Sequence, residues 1–159
     1  ETLELRLNDL LRYRIPRIHA WLDPMGIGGH VLATAVVERP GCYQCLFQYD
    51  AQFGLFNGAS FARPGQRFQK SYAGCGGSFL PFAGIHADRT AIEVALLAAH
   101  ILLGEESDNV LISWFGDTRA YLEEGFLLSD RQALFSAGET RRETHFTRSA
   151  CPVCREPYR

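Results

Sequence analysis

Five cysteines carry the most specific chemistry in this chain of 159 residues. Four form two C-x-x-C pairs, Cys42 with Cys45 and Cys151 with Cys154, and the fifth, Cys75, stands alone. Two residues between thiols let both reach one metal ion, and two such pairs make the ligand set of a tetrahedral four-cysteine zinc site. The pairs lie roughly 105 residues apart, against the roughly 15–20 of a self-contained zinc ribbon. The expected structure is therefore a clip tying the C-terminal tail to a mid-chain knuckle, which closes a long loop at a large entropic gain. The competing reading is a set of disulfides, or one redox pair beside a chance pair. An odd cysteine and the lack of an opening signal-type segment weigh for a reducing, cytoplasmic compartment, and so for zinc. Both pairs sit in turn contexts. Pro40-Gly41 precedes Cys42, and Cys151-Pro152-Val153-Cys154 lies in a polar tail.

Cys75 is flanked by glycines in Gly74-Cys75-Gly76-Gly77-Ser78. A nucleophilic thiol needs open approach and a lowered pKa, and a helix starting just after it would supply the field. The plain alternative is a small buried residue. His86, near the start of a helix, is a candidate base for it. His100, on an apolar helix, is expected in the core. Gly26-Ile27-Gly28-Gly29 imitates a phosphate loop, but that loop runs strand, glycines, helix. A strand follows here, so a hairpin turn is expected. No Walker motif is present, and the chain alone is not expected to hold a nucleotide.

The elements that must position these groups follow from periodicity. Leu3, Leu7, Leu10 and Leu11 predict an amphipathic helix over 2–13. Residues 17–22 predict a short strand and His30 to Glu38 a buried one, joined as a hairpin across Asp23-Pro24-Met25-Gly26. Residues 46–80 read as a long irregular stretch. More than half of the chain's aromatic residues fall between 43 and 82, so this segment either docks on something or covers the sheet. A helix is expected from His86 to Leu103, ended by Gly104, with Arg89 and Glu93 paired near its start. From Val94 onward it is almost wholly apolar, which predicts burial between layers. Asn109 to Phe115 and Thr118 to Phe126 read as strands, and 136–150 as a polar approach to Cys151.

Composition narrows the function classes. Apolar residues make up 47% and charged residues 21%, which excludes bulk disorder. The formal net charge is −2, without the basic excess of a nucleic-acid binder. The most apolar run, Val94 to Leu103, contains His100 and is about half the length of a membrane span.

With the cysteines placed, the chain resembles the C-terminal half of the ThiF/MoeB family of ubiquitin-activating-enzyme-like adenylyltransferases. The likeness runs along almost the whole chain. Arg6-Leu7-Asn8 resembles the family's R-x-x-x-N-type helix, and His30 to Val37 the strand leading into its knuckle. Arg39-Pro40-Gly41-Cys42-Tyr43-Gln44-Cys45-Leu46 is similar to its P-C-Y-R-C-L segment. Gly74-Cys75-Gly76 with Leu80-Pro81-Phe82-Ala83-Gly84-Ile85 resembles its catalytic-cysteine region. The helix at 86–103 and the closing Cys151-Pro152-Val153-Cys154 also match. The Gly-Cys-Gly-Gly context is more similar to bacterial relatives that work with a conjugating enzyme, as in antiphage conjugation operons.

The resemblance implies an α/β fold. The chain would be the C-terminal half of a Rossmann-like adenylation domain over 1–159, a mixed sheet with a long buried helix and a four-cysteine zinc clip. It implies adenylation of a ubiquitin-like protein's C-terminal glycine with ATP and magnesium, then thioester formation at Cys75. Arg6 and Asn8 are carried over as nucleotide-side residues, and the loop 46–74 as the crossover over the ubiquitin-like tail. The glycine-rich nucleotide loop and the magnesium-binding aspartate would lie upstream of Glu1, on a preceding half that binds ATP. The implied partners are the ubiquitin-like protein, a conjugating enzyme and a second subunit in a homodimer or heterodimer, with no nucleic acid and no membrane. The rival readings are a catalytically silent zinc-stabilised scaffold in such an enzyme and a sulfur-carrier adenylyltransferase.

Overall fold

The computed structural model describes residues 2–11, 14–68, 70–71, 78–79 and 81–155. In chain order the elements are α1 (Thr2–Leu11), β1 (Arg17–Leu22), β2 (Gly28–Thr34), β3 (Phe47–Asp50), β4 (Gly54–Asn57), β5 (Lys70–Ser71) and β6 (Ser78–Phe79), followed by α2 (Gly84–Leu102), β7 (Val110–Phe115), α3 (Arg119–Glu123), β8 (Thr140–Glu143) and α4 (Pro152–Arg155). The central sheet has the order β1-β2-β7-β8, and β3–β4 and β5–β6 are separate hairpin pairs. Every described pair is antiparallel. The fold is thus mixed α and β with antiparallel sheets, and the mixed sheet expected from the resemblance is not seen among the described residues. Here the strands reverse at each step, with no crossover that would set two side by side in the same direction.

The β1–β2 hairpin forms where the turn residues predict it. Gly26 has a φ of 69°, and a Cβ there would lie 1.8 Å from His86 Nδ1, so only glycine fits. β2 begins two residues early and stops at Thr34 rather than Glu38. Ala35 turns into the left-handed region at φ 58°, and Asn109 Oδ1 accepts the Val36 N–H at 3.0 Å in place of a ladder partner. The predicted strand at 118–126 is a correction. Asp117 Oδ1 accepts the Arg119 N–H at 2.9 Å and opens the single-turn helix α3, and Gly125 ends it at φ 82°. This Asx turn outweighs the short apolar run, and Tyr121 becomes buried against Phe126 and Phe68. Within the stretch expected to be irregular, Asp50 Oδ1 accepts from the Gln52 and Phe53 amides, and this turn closes the β3–β4 hairpin.

Alternation along β2 and β7 sends side chains to two cores. Val31, Ala33, Val110 and Ile112 pack against Leu97 of α2. Leu32 and Leu111 face Tyr43, Leu46, Phe47 and Ala59 on the other side. Each large side chain buried this way stabilises by about 1.5–3 kcal/mol. Gly29 lets α2 approach closely, since a Cβ there would meet Trp114 Nε1 at 2.4 Å and Thr90 Oγ1 at 2.5 Å.

α2 runs two residues longer at its start than the spacing suggests and ends as predicted at Gly104, whose φ is 73°. Its burial is one-sided, however. Ile85, Ile92, Leu96, Leu102 and Leu103 are exposed, Leu102 to 87%. His100 is also exposed, at 54%, beside Glu105. The sheet covers only one face of the helix, and no described element packs on the other. Arg89 reaches across to Thr140 Oγ1 and the Gly138 carbonyl, with its guanidinium over Trp114. No helix among the described residues is long and apolar enough to cross a membrane.

The polar stretch 136–150 contains β8, whose Arg142 pairs with Glu106. Burial opposes ionisation of Glu106, but hydrogen bonds from Arg142 and the Asp108 amide outweigh it and hold the carboxyl below its ordinary value. A depressed carboxyl contributes stability that is present above its unfolded pKa, 4.5, and is lost as pH falls through the folded value. Glu106→Gln is therefore expected to lower stability at pH 7 and to flatten the acid limb below pH 4.5. Urea midpoints measured across that range check this, and parallel acid limbs would contradict it.

Candidate metal centre

The first pair forms in a tight turn. After Cys42 the chain enters a 3-10 turn over Tyr43–Leu46, and the Cys45 N–H donates to the Cys42 carbonyl at 3.0 Å. The second pair forms at α4, whose first residue is Pro152, the position where a missing N–H is harmless. The Cys151 N–H donates to the Arg148 carbonyl, and Arg148 donates to the Phe47 carbonyl, which pins the tail to β3.

The two turns converge. Cys42 Sγ lies 3.9 Å from Cys45 Sγ, 3.7 Å from Cys151 Sγ and 3.5 Å from Cys154 Sγ, and Cys45 and Cys154 are 3.5 Å apart. All four sulfurs lie within 4.8 Å of one another. Tetrahedral ligands at a zinc–sulfur distance of about 2.3 Å stand roughly 3.8 Å apart. None of the four is in a disulfide. Cys42, Cys45 and Cys151 are buried, with Val153 and Phe146 packed around them. Hydrogen bonding to the thiols of Cys151 and Cys154, with burial, pushes the Cys42 and Cys45 thiols far up. Four thiolates cannot share this space without a cation. The donor set fits one, and the cluster could hold a metal ion such as zinc.

The knuckle is joined to α1 through Tyr43, whose N–H donates to Asn8 Oδ1 at 3.1 Å and whose hydroxyl donates to Glu4 Oε2 at 2.9 Å. The Tyr43 ring stacks on His19 at 4.6 Å. Of the two residues carried over for the nucleotide side, Asn8 is wholly buried here and Arg6 is exposed. Cys75 lies outside the described residues. His86 Nδ1 accepts the Ala83 N–H at the start of α2, and its ring stands 5.9 Å from that of Trp114.

A second polar constellation has no spacing motif in the sequence. Asp23 Oδ2 is 3.2 Å from His30 Nε2, and His30 Nδ1 is 2.9 Å from Ser113 Oγ. Ser60 Oγ donates to Asp23 Oδ1 at 2.7 Å and the Phe61 N–H to Asp23 Oδ2 at 2.6 Å. At the far end Arg131 donates to Ser113 Oγ at 3.3 Å and pairs with Glu143. The Asp23 carboxylate can only accept, so a neutral His30 carries its proton on Nε2 and its Nδ1 accepts the Ser113 hydroxyl, whose oxygen in turn accepts from Arg131. His30 and Ser113 are 0% exposed, and the bonds through them form a structural brace. It ties the segment after β4 and the turn at 130–134 to the sheet. Polar residues inside the apolar strands, at His30 and Ser113, were the signal that could have found it. Burial, with a smaller contribution from the Asp23 charge, pushes the nearby Tyr121 hydroxyl up to about 12.

Comparison with family models, with characterised proteins and with solved structures returned no match for this chain.

Proposed function

We propose that the chain is the C-terminal, zinc-clipped part of a ThiF/MoeB-type adenylation domain in a ubiquitin-like-protein activating enzyme. One observation carries the reading. The two C-x-x-C pairs, the most specific part of the resemblance, converge across 109 residues on a single thiol cluster beside a strand hairpin. Two features agree with it. β1 is an edge strand, where the parallel strands of a Rossmann-like half would pair and make the sheet mixed. The bare outer face of α2 would be covered by the rest of the enzyme or by a second subunit.

On this reading ATP and magnesium sit mainly on the preceding half, and the exposed Arg6 supports the nucleotide from α1. Asn8 serves the knuckle. The carboxylate of the ubiquitin-like protein attacks the α-phosphorus of ATP and releases pyrophosphate. The Cys75 thiolate then attacks the acyl carbon, AMP leaves, and the thioester passes to a cysteine of the conjugating enzyme. A cleft of about 410 Å³ between the aromatic segment and the turn at 128–131, lined by Gln48, Asp50, Asn57, Arg63, Asp130 and Arg131, offers polar and charged groups to an extended tail.

The test uses the enzyme with its preceding half and its ubiquitin-like protein. Cys75→Ala is expected to leave ATP–pyrophosphate exchange within about twofold and to abolish a thiol-sensitive adduct, a loss of at least about a hundredfold. Full adduct formation by the variant would place the nucleophile elsewhere. Absence of both reactions in the unaltered enzyme would favour the silent scaffold.

A further inference from the structure

We infer that metal uptake at the four cysteines controls the docking of α1, with Tyr43 as the link; this rests on the zinc reading of the cluster. Tyr43 lies between two of the ligands, Cys42 and Cys45, and is 1% exposed. Its backbone N–H is bound by Asn8, its hydroxyl by Glu4, and its ring by the stacked face of His19. Glu4 and Asn8 stand four residues apart, on one face of α1. Leu5 packs into the same cluster as Tyr43. Leu3, Leu7 and Leu10 are exposed and Leu11 is half-buried. The hydrogen bonds of Glu4 and Asn8 thus both reach Tyr43, between two of the cysteines.

α1 has ten residues, and isolated helices shorter than about 12–15 residues are marginal in water. Its persistence depends on what it docks against. The knuckle in turn holds its shape by cross-links. Without a cation nothing cross-links the two pairs, the tail is released, and the turn that presents Tyr43 loses its outer support. Binding of the metal thus orders α1 as well as the tail, and linkage makes the effect reciprocal. The factor by which the metal strengthens docking of α1 is the factor by which docking strengthens metal binding, so a change that undocks α1 must weaken metal affinity.

The experiment uses the full chain in its zinc-loaded and metal-stripped forms. Hydrogen exchange is followed over residues 2–11, and zinc affinity is measured by competition with a chromophoric chelator. Stripping is expected to cut protection of 2–11 at least about tenfold, while amides of β2 and β7 stay protected. Asn8→Ala is expected to weaken zinc about tenfold, the usual size for a group that supports a ligand. Glu4→Gln should weaken it several-fold, and Leu10→Ala should leave it unchanged.

Unchanged protection of 2–11 after stripping would overturn the coupling. So would equal loss in β2 and β7, which is global unfolding, and so would unaltered zinc affinity in Asn8→Ala. If Asn8→Ala does not fold, Glu4→Gln decides by the same readings. A chain that takes up no zinc overturns the zinc reading and the coupling together, whereas uptake with an indifferent α1 removes the coupling alone.

Discussion

Purified under reducing conditions, the protein is expected to carry close to one zinc per chain, and its removal to cause the largest loss of stability of any single change. The clip joins positions 109 residues apart. In the chain-entropy picture a cross-link closing a loop of about 100 residues contributes about 4.7 kcal/mol. Structural zinc in small sites has a binding free energy on the order of 10 kcal/mol or more. Stripping the metal should therefore cost at least about 5 kcal/mol, a drop in Tm of roughly 10–20 °C for a chain of this size. The damage should be local first. Phe146, Arg148, Cys151 and Val153 hold the tail to β3 and the knuckle, and residues from about 144 onward should become open to protease. The sheet keeps its two cores and should stay folded. Cys154→Ser is the milder counterpart, because Cys154 is the least buried of the four. Elemental analysis with no zinc, or a Cys42–Cys45 disulfide under reducing conditions, would remove the metal centre and the function built on it.

Removing Asp23 should rank next. Asp23→Ala strands three donors at once: the Ser60 hydroxyl, the Phe61 N–H and the His30 Nε2–H. It also deletes the negative end of a buried chain whose positive end is Arg131. Breaking a buried charged network by removing one partner costs about 3–5 kcal/mol, most of it from the groups left unpaired. Ser113→Ala interrupts the same chain without removing a charge and should cost about 1–2 kcal/mol. The two losses should not add, since both act on one network. Denaturant titration of the single and double variants gives the coupling, and the nitrogen shifts of His30 report the Nε2–H tautomer directly. A loss under about 1 kcal/mol in Asp23→Ala, or an Nδ1–H tautomer, would show that the brace is not what holds the segment after β4.

The two constellations differ in how far they can be read from the chain. The four-cysteine cluster is legible because the information is local to each half of the site. C-x-x-C dictates a turn that turns two thiols to one side, and thiolates that close require a cation. The clip follows from counting two such turns in one chain. The Asp23–His30–Ser113–Arg131 brace has no such signature. His30 and Ser113 are 83 positions apart and meet only because β2 and β7 pair in the register that sets them opposite each other. Asn8 is a similar case. A family motif suggests a nucleotide-side role, but the contact its side chain makes is with Tyr43, 35 positions away.

The same division runs through the fold. Residue order alone determined the β1–β2 hairpin, the long helix and its stop at Gly104, the strand at 110–115 and the paired thiols. All of these depend on backbone preference and side-chain period within a few residues. Tertiary structure decided the sheet order, the early exit of β2 through Ala35 and Asn109, and which face of α2 is left bare. Each of those is settled by a competitor that arrives from elsewhere in the chain, whereas the turn of α3 is set by the local bond that the Arg119 N–H donates to Asp117, which a hydrophobic pattern does not register. An apolar residue records a preference for burial without naming what will cover it, and a polar one records a need for a partner without naming which. Only when the chain closes on itself are those partners chosen, because pairing energies of a few kcal/mol at contact distance then outweigh the weaker preferences of isolated segments.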